Sequence, residues 1–422
     1  MTRSQDQELQ RILASAGNGA ITRRSFLRRS GAGAGALGLS ALLAACGVEG
    51  EGGSGGSSST QSKSVFEGEP EGTLNFANWP LYIDRERRGG KFHYPSLELF
   101  TKRTGIEVNY ETVINANDSF FGKIQPQLQA GQDTGYDIIV ITNGTTLDKL
   151  FQLDYLIELD HSKLPNFEKY AAPKYQNEAF DPGNKFTIPW QSGITGIGYN
   201  PELTGREITS FEDLLDPAFE GKVGMFADNQ DLPCLTLAGI GVNPEESTPE
   251  DWKKAAEVLT KQRDDGLVRQ YYDQNYTGPL QRGEIALTMA WSGDIFQLQA
   301  EGSKQLKFVV PEEGGILWTD NMCIPQGAQH PVDAITYMNY VYEPKIAAMI
   351  AEWVWYITPV PSCQEIVKKD AQKPGYGYLK PVATSPLVFP TEEIYQNTFA
   401  YRTLTPEEEE EWNSIFQPIY QG

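Results

Sequence analysis

Four short segments of the chain combine large aromatic residues with carboxylates. NWPLYID carries Trp79 and Tyr82, and GMFADNQDLP carries Asp228 and Asp231. ALTMAWSGD carries Trp291, and GGILWTD carries Trp318 and Asp320. Side chains of a strand alternate between its faces, so Trp318 and Asp320 point one way while Thr319 and Asn321 point the other. An indole beside a carboxylate makes a poor apolar core. It suits an organic cation with an apolar body, because carboxylates pair ammonium groups that a dry cleft cannot leave unpaired. Indole faces attract the cation by roughly 0.5–2 kcal/mol per contact and cover its methylenes at roughly 0.8 kcal/mol per buried CH₂. Any one of these residues could be ordinary: tryptophan at a strand end plugs cores, and aspartate in a turn bonds locally. The recurrence of both chemistries at predicted strand ends is what singles them out. A sugar would use the same indole faces but more neutral or bidentate hydrogen bonding. An amino acid needs an Arg or Lys for its carboxylate, and none stands out in these segments.

Other chemistries find little support. The three histidines, His93, His161 and His330, stand in no metal-ligand spacing, and no cysteine pair does either. G-x-G-x-x-G occurs at Gly33, Gly35 and Gly38, and G-x-S-x-G at Gly52, Ser54 and Gly56. Neither lies between a strand and a helix, the setting that gives those patterns their meaning. No enzyme activity, cofactor or metal is expected. The net charge is −21; six basic and two acidic residues in 1–45 leave −25 for the remainder. That balance argues against nucleic acid as a partner and suits cationic ligands, although solubility alone also accounts for it.

The chain divides into regions of different character. TRRSFLRR at 22–29 is followed by GAGAGALGLSALLAAC, which ends at Cys46. A basic stretch, a short apolar stretch and small residues before a boundary describe an export signal too short for a comfortable membrane span. It resembles a twin-arginine signal, and Leu43-Ala44-Ala45-Cys46 resembles a bacterial lipobox. The resemblance implies cleavage before Cys46, diacylglycerol on its thiol, and a protein anchored on the outer side of the cytoplasmic membrane. Residues 1–45 are therefore read as signal peptide. Residues 46–71 are read as the lipidated cysteine and a flexible linker, GVEGEGGSGGSSSTQSKS being a coil by composition. Cys234, Cys323 and Cys363 allow at most one disulfide, and a chain folded before export should not depend on it.

From Thr73 strands alternate with helices: TLNFANW, PSLELFTKRTG closed by Gly105, IEVNYETV, FFGKIQPQLQAG, YDIIVIT and TTLDKLFQL. A second run has strand GKVGMF, a helix after Pro233, helix EDWKKAAEVLTKQ, and strands IALTMAW and LKFVVP. DAITYMNYVY, KIAAMIAEWVW and EEEEEWNSIF make the last third more helical. This pattern predicts an α/β fold with mainly parallel sheets, and two such lobes leave a ligand cleft between them.

From about Leu74 to Ile366 the chain is similar to bacterial extracellular polyamine-binding proteins, the solute receptors of spermidine/putrescine ABC importers. NWPLYID, YDIIVI, KFTIPWQSGITGIGYNPE, DPAFEGKVGM, RGEIALTMAWSG, PEEGGILWTD and YITPVP follow that family's order. The resemblance implies a type II periplasmic-binding-protein-like fold, with mixed sheets flanked by helices, crossover strands and hinge closure. It sets a first lobe at 72–193 plus 319–364 and a second at 196–316 plus 367–422. It implies a monomer working with permease and ATPase subunits. It also implies that Trp79 and Tyr82 form a first aromatic wall and that Asp228 and Asp231 bind one end of the polyamine. Trp291 and Trp318 would sandwich the methylene chain, Asp320 would bind an amine, and Tyr356 would add a further aromatic. Three departures touch that site: Pro80 where a hydroxyl residue is often found, TNGTT at 142–146 where an aromatic is missing, and the basic insertion RERRGGK at 85–91. A same-fold receptor for a sugar or another organic cation, or a sensing or docking lipoprotein, are the alternatives.

Overall fold

The computed structural model describes residues 65–272, 275–300 and 302–421. The signal, Cys46 and linker expectations up to residue 64 lie outside the described residues. The linker was expected to run to residue 71. Phe66, however, is buried in the core, and Glu71 and Gly72 donate their backbone N–H groups to Asp333. An aromatic ring and two amides with core partners start the fold by Phe66.

Twelve strands carry the described chain: β1 (Thr73–Asn78), β2 (Glu86–Arg88), β3 (Lys91–His93), β4 (Glu107–Thr112), β5 (Ile138–Thr142), β6 (Thr187–Tyr199), β7 (Val223–Phe226), β8 (Val268–Tyr272), β9 (Leu287–Trp291), β10 (Lys307–Val309), β11 (Gly315–Cys323) and β12 (Thr398–Phe399). Ten form one sheet in the order β4-β1-β5-β11-β6-β9-β7-β8, with β10 on β6 and β12 on β11; β2 and β3 make a separate hairpin. At its two ends the sheet is parallel, β1 with β4 and β5, and β7 with β8 and β9. In the middle β11 runs antiparallel to β5 and β6, and β6 to β9. The sheet is therefore mixed and not mainly parallel. β6 and β11 pass straight from one end to the other, and antiparallel neighbours need no helical crossover.

All thirteen residues of β6 are buried, and at ~3.3 Å per residue the strand spans about 40 Å. Ile188 and Trp190 of β6 pack with Phe76, Val140 and Met322 in a first cluster, while Ala77, Ile139, Ile141 and Cys323 pack in a smaller one. Ile197 and Tyr199, farther along β6, join Met225, Leu287, Met289 and Ile316 in a second large cluster. Residues 367–422 were expected in the second lobe, yet they divide. Val367, Ala371, Leu379, Val382 and Val388 pack in the first cluster, and Leu404, Trp412, Phe416 and Ile419 in the second. The chain returns only where β12 pairs with Gly315 and Ile316 of β11.

Local signals explain the helices. The helix Pro95–Thr104 has proline in its first turn and ends at Gly105, whose φ of 79° is the left-handed closure that favours glycine. Cys234, Cys323 and Cys363 are free and buried. No helix among the described residues is long and apolar enough to cross a membrane.

The helix Pro406–Gln421 is held by Trp412, which stands edge-on to Trp252 at 5.1 Å and donates its indole N–H to the Asn229 carbonyl at 2.6 Å. Trp412→Ala is expected to lower stability by about 3–5 kcal/mol, read from guanidinium unfolding. A loss under ~1 kcal/mol would show that this helix is not anchored through the indole.

Candidate functional site

β11 carries Trp318 and Asp320 in its middle, not at its carboxyl end as expected, because β5 and β6 go on pairing with it as far as Cys323. Trp318 lies opposite Gly193 of β6, where a Cβ would come within 2.3 Å of indole Cζ2. Glycine is what lets the ring lie against the strand. The β6–β11 register shifts between Asp320 and Asn321, the kind of irregularity that re-aims side chains. Asp320 is buried and accepts hydrogen bonds from the hydroxyls of Tyr82 at 2.7 Å and Thr142 at 2.6 Å. Tyr82 stands edge-on to Tyr356, centroids 5.7 Å apart, and Tyr356 is tilted against Trp318 at 5.6 Å. The Trp318 indole N–H is buried without a hydrogen-bond partner. Four sequence-predicted residues, Tyr82, Trp318, Asp320 and Tyr356, thus meet in one group.

Asp228, Asp231 and Trp291 form the other group. β7 ends at Phe226, and a short turn leads into the helix Asp231–Gly239, which starts two residues before Pro233 instead of after it. Asp228 Oδ1 accepts the backbone N–H groups of Gln230 at 2.8 Å and Asp231 at 2.6 Å, so it caps that helix. The buried Asp231 accepts from three donors: the Thr195 hydroxyl at 2.6 Å, the Tyr401 hydroxyl at 2.7 Å and the Trp291 indole N–H at 2.8 Å. Trp291 packs on Phe226 at 4.7 Å and Tyr276 at 5.9 Å. Burial pushes the Asp228 carboxyl up to about 7, with the nearby charge of Asp231 adding to the rise and the capped amides opposing it. Burial also raises Asp231, against the pull of its three donors.

Asp294 joins the groups. It accepts from the Tyr356 hydroxyl at 2.8 Å and the Tyr276 hydroxyl at 3.0 Å, and Tyr276 in turn accepts the Trp291 backbone N–H at 2.9 Å. Asp294, Thr142, Thr195, Tyr276 and Tyr401 were not anticipated as site residues. Asp294 had a local signal, a carboxylate three residues past Trp291 at a helix start. Thr142 belongs to the TNGTT loop, which read only as a lost aromatic. Tyr276 and Tyr401 arrive from remote parts of the chain.

Trp79 behaves differently. Its indole N–H goes to the Val140 carbonyl at 3.0 Å, its ring packs against the first and the smaller cluster, and it enters no hydrogen bond or ring contact with the other seven among the described residues. Pro80 beside it is buried. After β5, the Asn143 carbonyl accepts from Gln230 Nε2 at 3.4 Å, and Lys149 of the following helix pairs with Glu409 at 2.8 Å.

Residues 97–375 match the family model described as bacterial extracellular solute-binding protein. The chain is 32% identical over 289 residues to a spermidine/putrescine-binding periplasmic protein of Salmonella typhimurium, covering 68% of this chain and 77% of that one. It is 29% identical over 336 residues to the protein of the same description in Escherichia coli, covering 79% and 88%. Among solved structures it is similar to the substrate-binding protein of a spermidine/putrescine ABC transporter from Streptococcus pneumoniae, with 26% identity, a TM-score of 0.69, and 83% and 98% of the two chains covered. The relatives are exported receptors that bind solutes, and the shared fold is the periplasmic-binding-protein type.

The raised Asp228 carboxyl fixes a pH dependence. Between the ordinary carboxylate value near 4 and about 7, the folded chain keeps a proton that the unfolded chain has lost. Stability therefore falls as pH rises through that window. Asp148, raised by burial to about 7, and Glu178 and Glu352, raised by burial to about 8, act in the same direction. The melting temperature of the ligand-free protein is expected to fall from pH 5 to pH 7.5, with a shallower fall in Asp228→Asn, whose amide oxygen can still cap the helix. Equal slopes would mean that Asp228 is not among the titrating groups.

Proposed function

The chain belongs to the bacterial extracellular solute-binding protein family, and we propose that it captures a polyamine, of the putrescine or spermidine kind, for an ABC importer. The observation that carries this reading is the state of the buried carboxyls. Asp231, Asp294 and Asp320 are sunk among Trp291, Trp318, Tyr82 and Tyr356 and accept from neutral hydroxyl and indole donors. Among the described residues Asp228, Asp231 and Asp294 enter no ion pair. Ionised carboxyls in so dry a place are costly until a cation joins them. A polyamine supplies ammonium groups at intervals along an apolar chain, which is the complement of carboxyls at intervals among aromatic faces.

In this reading Asp228 and Asp231 take one end of the polyamine and Asp320 the other amine, while Asp294 adds a carboxyl between them. Trp291, Trp318, Tyr82 and Tyr356 box the methylenes, and Trp79 stands at the outer wall. The ligand sits between a first lobe, 72–193 plus 319–364, and a second, 196–316 plus 367–422. Residues 367–388 move to the first lobe on the strength of their packing. Hinge closure about β6 and β11 then excludes water from the bound amine. The monomeric receptor delivers its cargo to permease and ATPase subunits, and no chemical step is assigned to it. The names of its relatives support the ligand class and the importer. Export by the twin-arginine route and a lipid on Cys46 hold the receptor at the outer face of the cytoplasmic membrane.

Asp320→Asn is expected to weaken putrescine or spermidine binding at least tenfold, since losing the charge opposite a buried amine costs over ~1.4 kcal/mol. Calorimetric titration checks this, and an unchanged dissociation constant in a folded variant removes Asp320 from the site. Cys46→Ser is expected to move the protein from the membrane fraction to the soluble fraction of the producing cells. Retention on the membrane would refute the lipid anchor.

A further inference from the structure

The basic insertion that begins at Arg85 builds something the polyamine reading leaves unused. Its strands β2 and β3 form the separate hairpin, and the Arg85 guanidinium lies against two aromatic rings, Phe92 of β3 at 4.5 Å and Trp353 at 4.9 Å. Other arginines of this chain spend their N–H groups on carboxylates: Arg88 on Glu86 and Glu98, and Arg402 on Glu408. Arg85 does not. Among the described residues no acceptor takes any of its five N–H groups, although the side chain is half-buried. Burial lowers its affinity for its proton, and the groups that act back on it are the hydroxyls of Tyr94 and Tyr110. The aromatic contacts hold the guanidinium through its π surface and leave the in-plane fork of donors unspent.

Arg85 borders a cavity of about 40 Å³ that is also lined by Tyr82, Phe92, Tyr94, Tyr110 and Thr112, among others. Tyr110 lines the same cavity, and its hydroxyl is buried beside the Asn78 side chain. Leu81, also on the cavity wall, holds a φ of 60°, a left-handed conformation that costs a leucine strain. At roughly 10–15 Å³ per water the cavity takes about three water-sized groups. That is the size of a planar carboxylate and its first carbon, and it is tight for a tetrahedral phosphate.

We propose that this cavity is a second, anion-accepting subsite in which Arg85 receives a small carboxylate. Its lining is the reverse of the acidic site: a guanidinium among tyrosine and phenylalanine side chains, with no carboxylate. Tyr82 is common to both. Its ring lines the cavity while its hydroxyl donates to Asp320, so a cation site and an anion subsite lie on either side of one side chain. The carboxylate comes either from a separate small acid or from the far end of a solute whose amine lies at Asp320. The second source rests on the solute-binding reading, and the first does not.

The test titrates sodium propionate, against sodium chloride at the same ionic strength, into the purified chain and follows the melting temperature. Propionate is expected to stabilise the wild type beyond chloride. In Arg85→Gln the half-saturating concentration is expected to rise at least tenfold, and Arg85→Lys, which keeps the charge but not the planar fork, should fall between the two. No propionate-specific shift in the wild type, or equal shifts in wild type and Arg85→Gln, would overturn the proposal. If Arg85→Gln does not fold, the wild-type comparison and Arg85→Lys still decide it. 4-Aminobutyrate separates the sources. Binding that needs both Arg85 and Asp320 assigns amine and carboxylate to one solute, while propionate binding that adds to putrescine binding assigns a separate acid. Putrescine titrated alone in the same buffer reads out the polyamine site by itself, so failure there is distinguishable from failure here.

Discussion

Everything in this protein hangs on the pairing of β6 with β11. Each is an uninterrupted buried strand with one end in the first core cluster and the other in the second. A pair of strands shared by two cores can twist without losing its ladder, the property that the proposed hinge between two bodies would use. The site is mounted on the same pair. Trp318 and Asp320 come from β11, Gly193 and Thr195 from β6, and the β6–β11 register shifts directly after Asp320. In the proposed reading, the residues that meet the ligand and the strands that join the two bodies are one structure, which would couple binding to closure without an intermediary.

The acidic group also shows how a dry interior tolerates carboxyls. Each is given neutral donors: tyrosine and threonine hydroxyls on Asp320, tyrosine hydroxyls on Asp294, and hydroxyls and an indole N–H on Asp231. These donors oppose the cost of the charged form, and burial still raises the Asp231 carboxyl above its ordinary range, as it does Asp228 beside it. A lysine or arginine in their place would stabilise the empty receptor and compete with its ligand.

Much of the architecture could be read from local pattern, because alternating strands and punctuated helices are short-range features. Trp318 and Asp320 shared a face by period two alone. What could not be read depended on distance along the chain. Tyr401 reaches Asp231 across 170 residues, and no local composition marks a tyrosine as someone's hydrogen-bond donor. The length of β11 was misjudged for the same reason, since β5 and β6 set its end. Thr142 was hidden by comparison: set against relatives with an aromatic there, the loop looked depleted, while the structure gives its hydroxyl to Asp320. Residues 367–388 were placed in the second body by the family resemblance alone, and the packing of Val367, Ala371, Leu379, Val382 and Val388 in the first cluster was not legible in the sequence.

Trp291 spends its indole N–H on Asp231, and Trp318 lies against Tyr356 in the other group. Indole emission follows the local electric field and the nearby polar groups. In the proposed reading two of the eight tryptophans sit beside the arriving charge, and the protein would carry its own optical probe. Occupancy would then be followed as colour and intensity in real time, with no dye attached and no thiol modified.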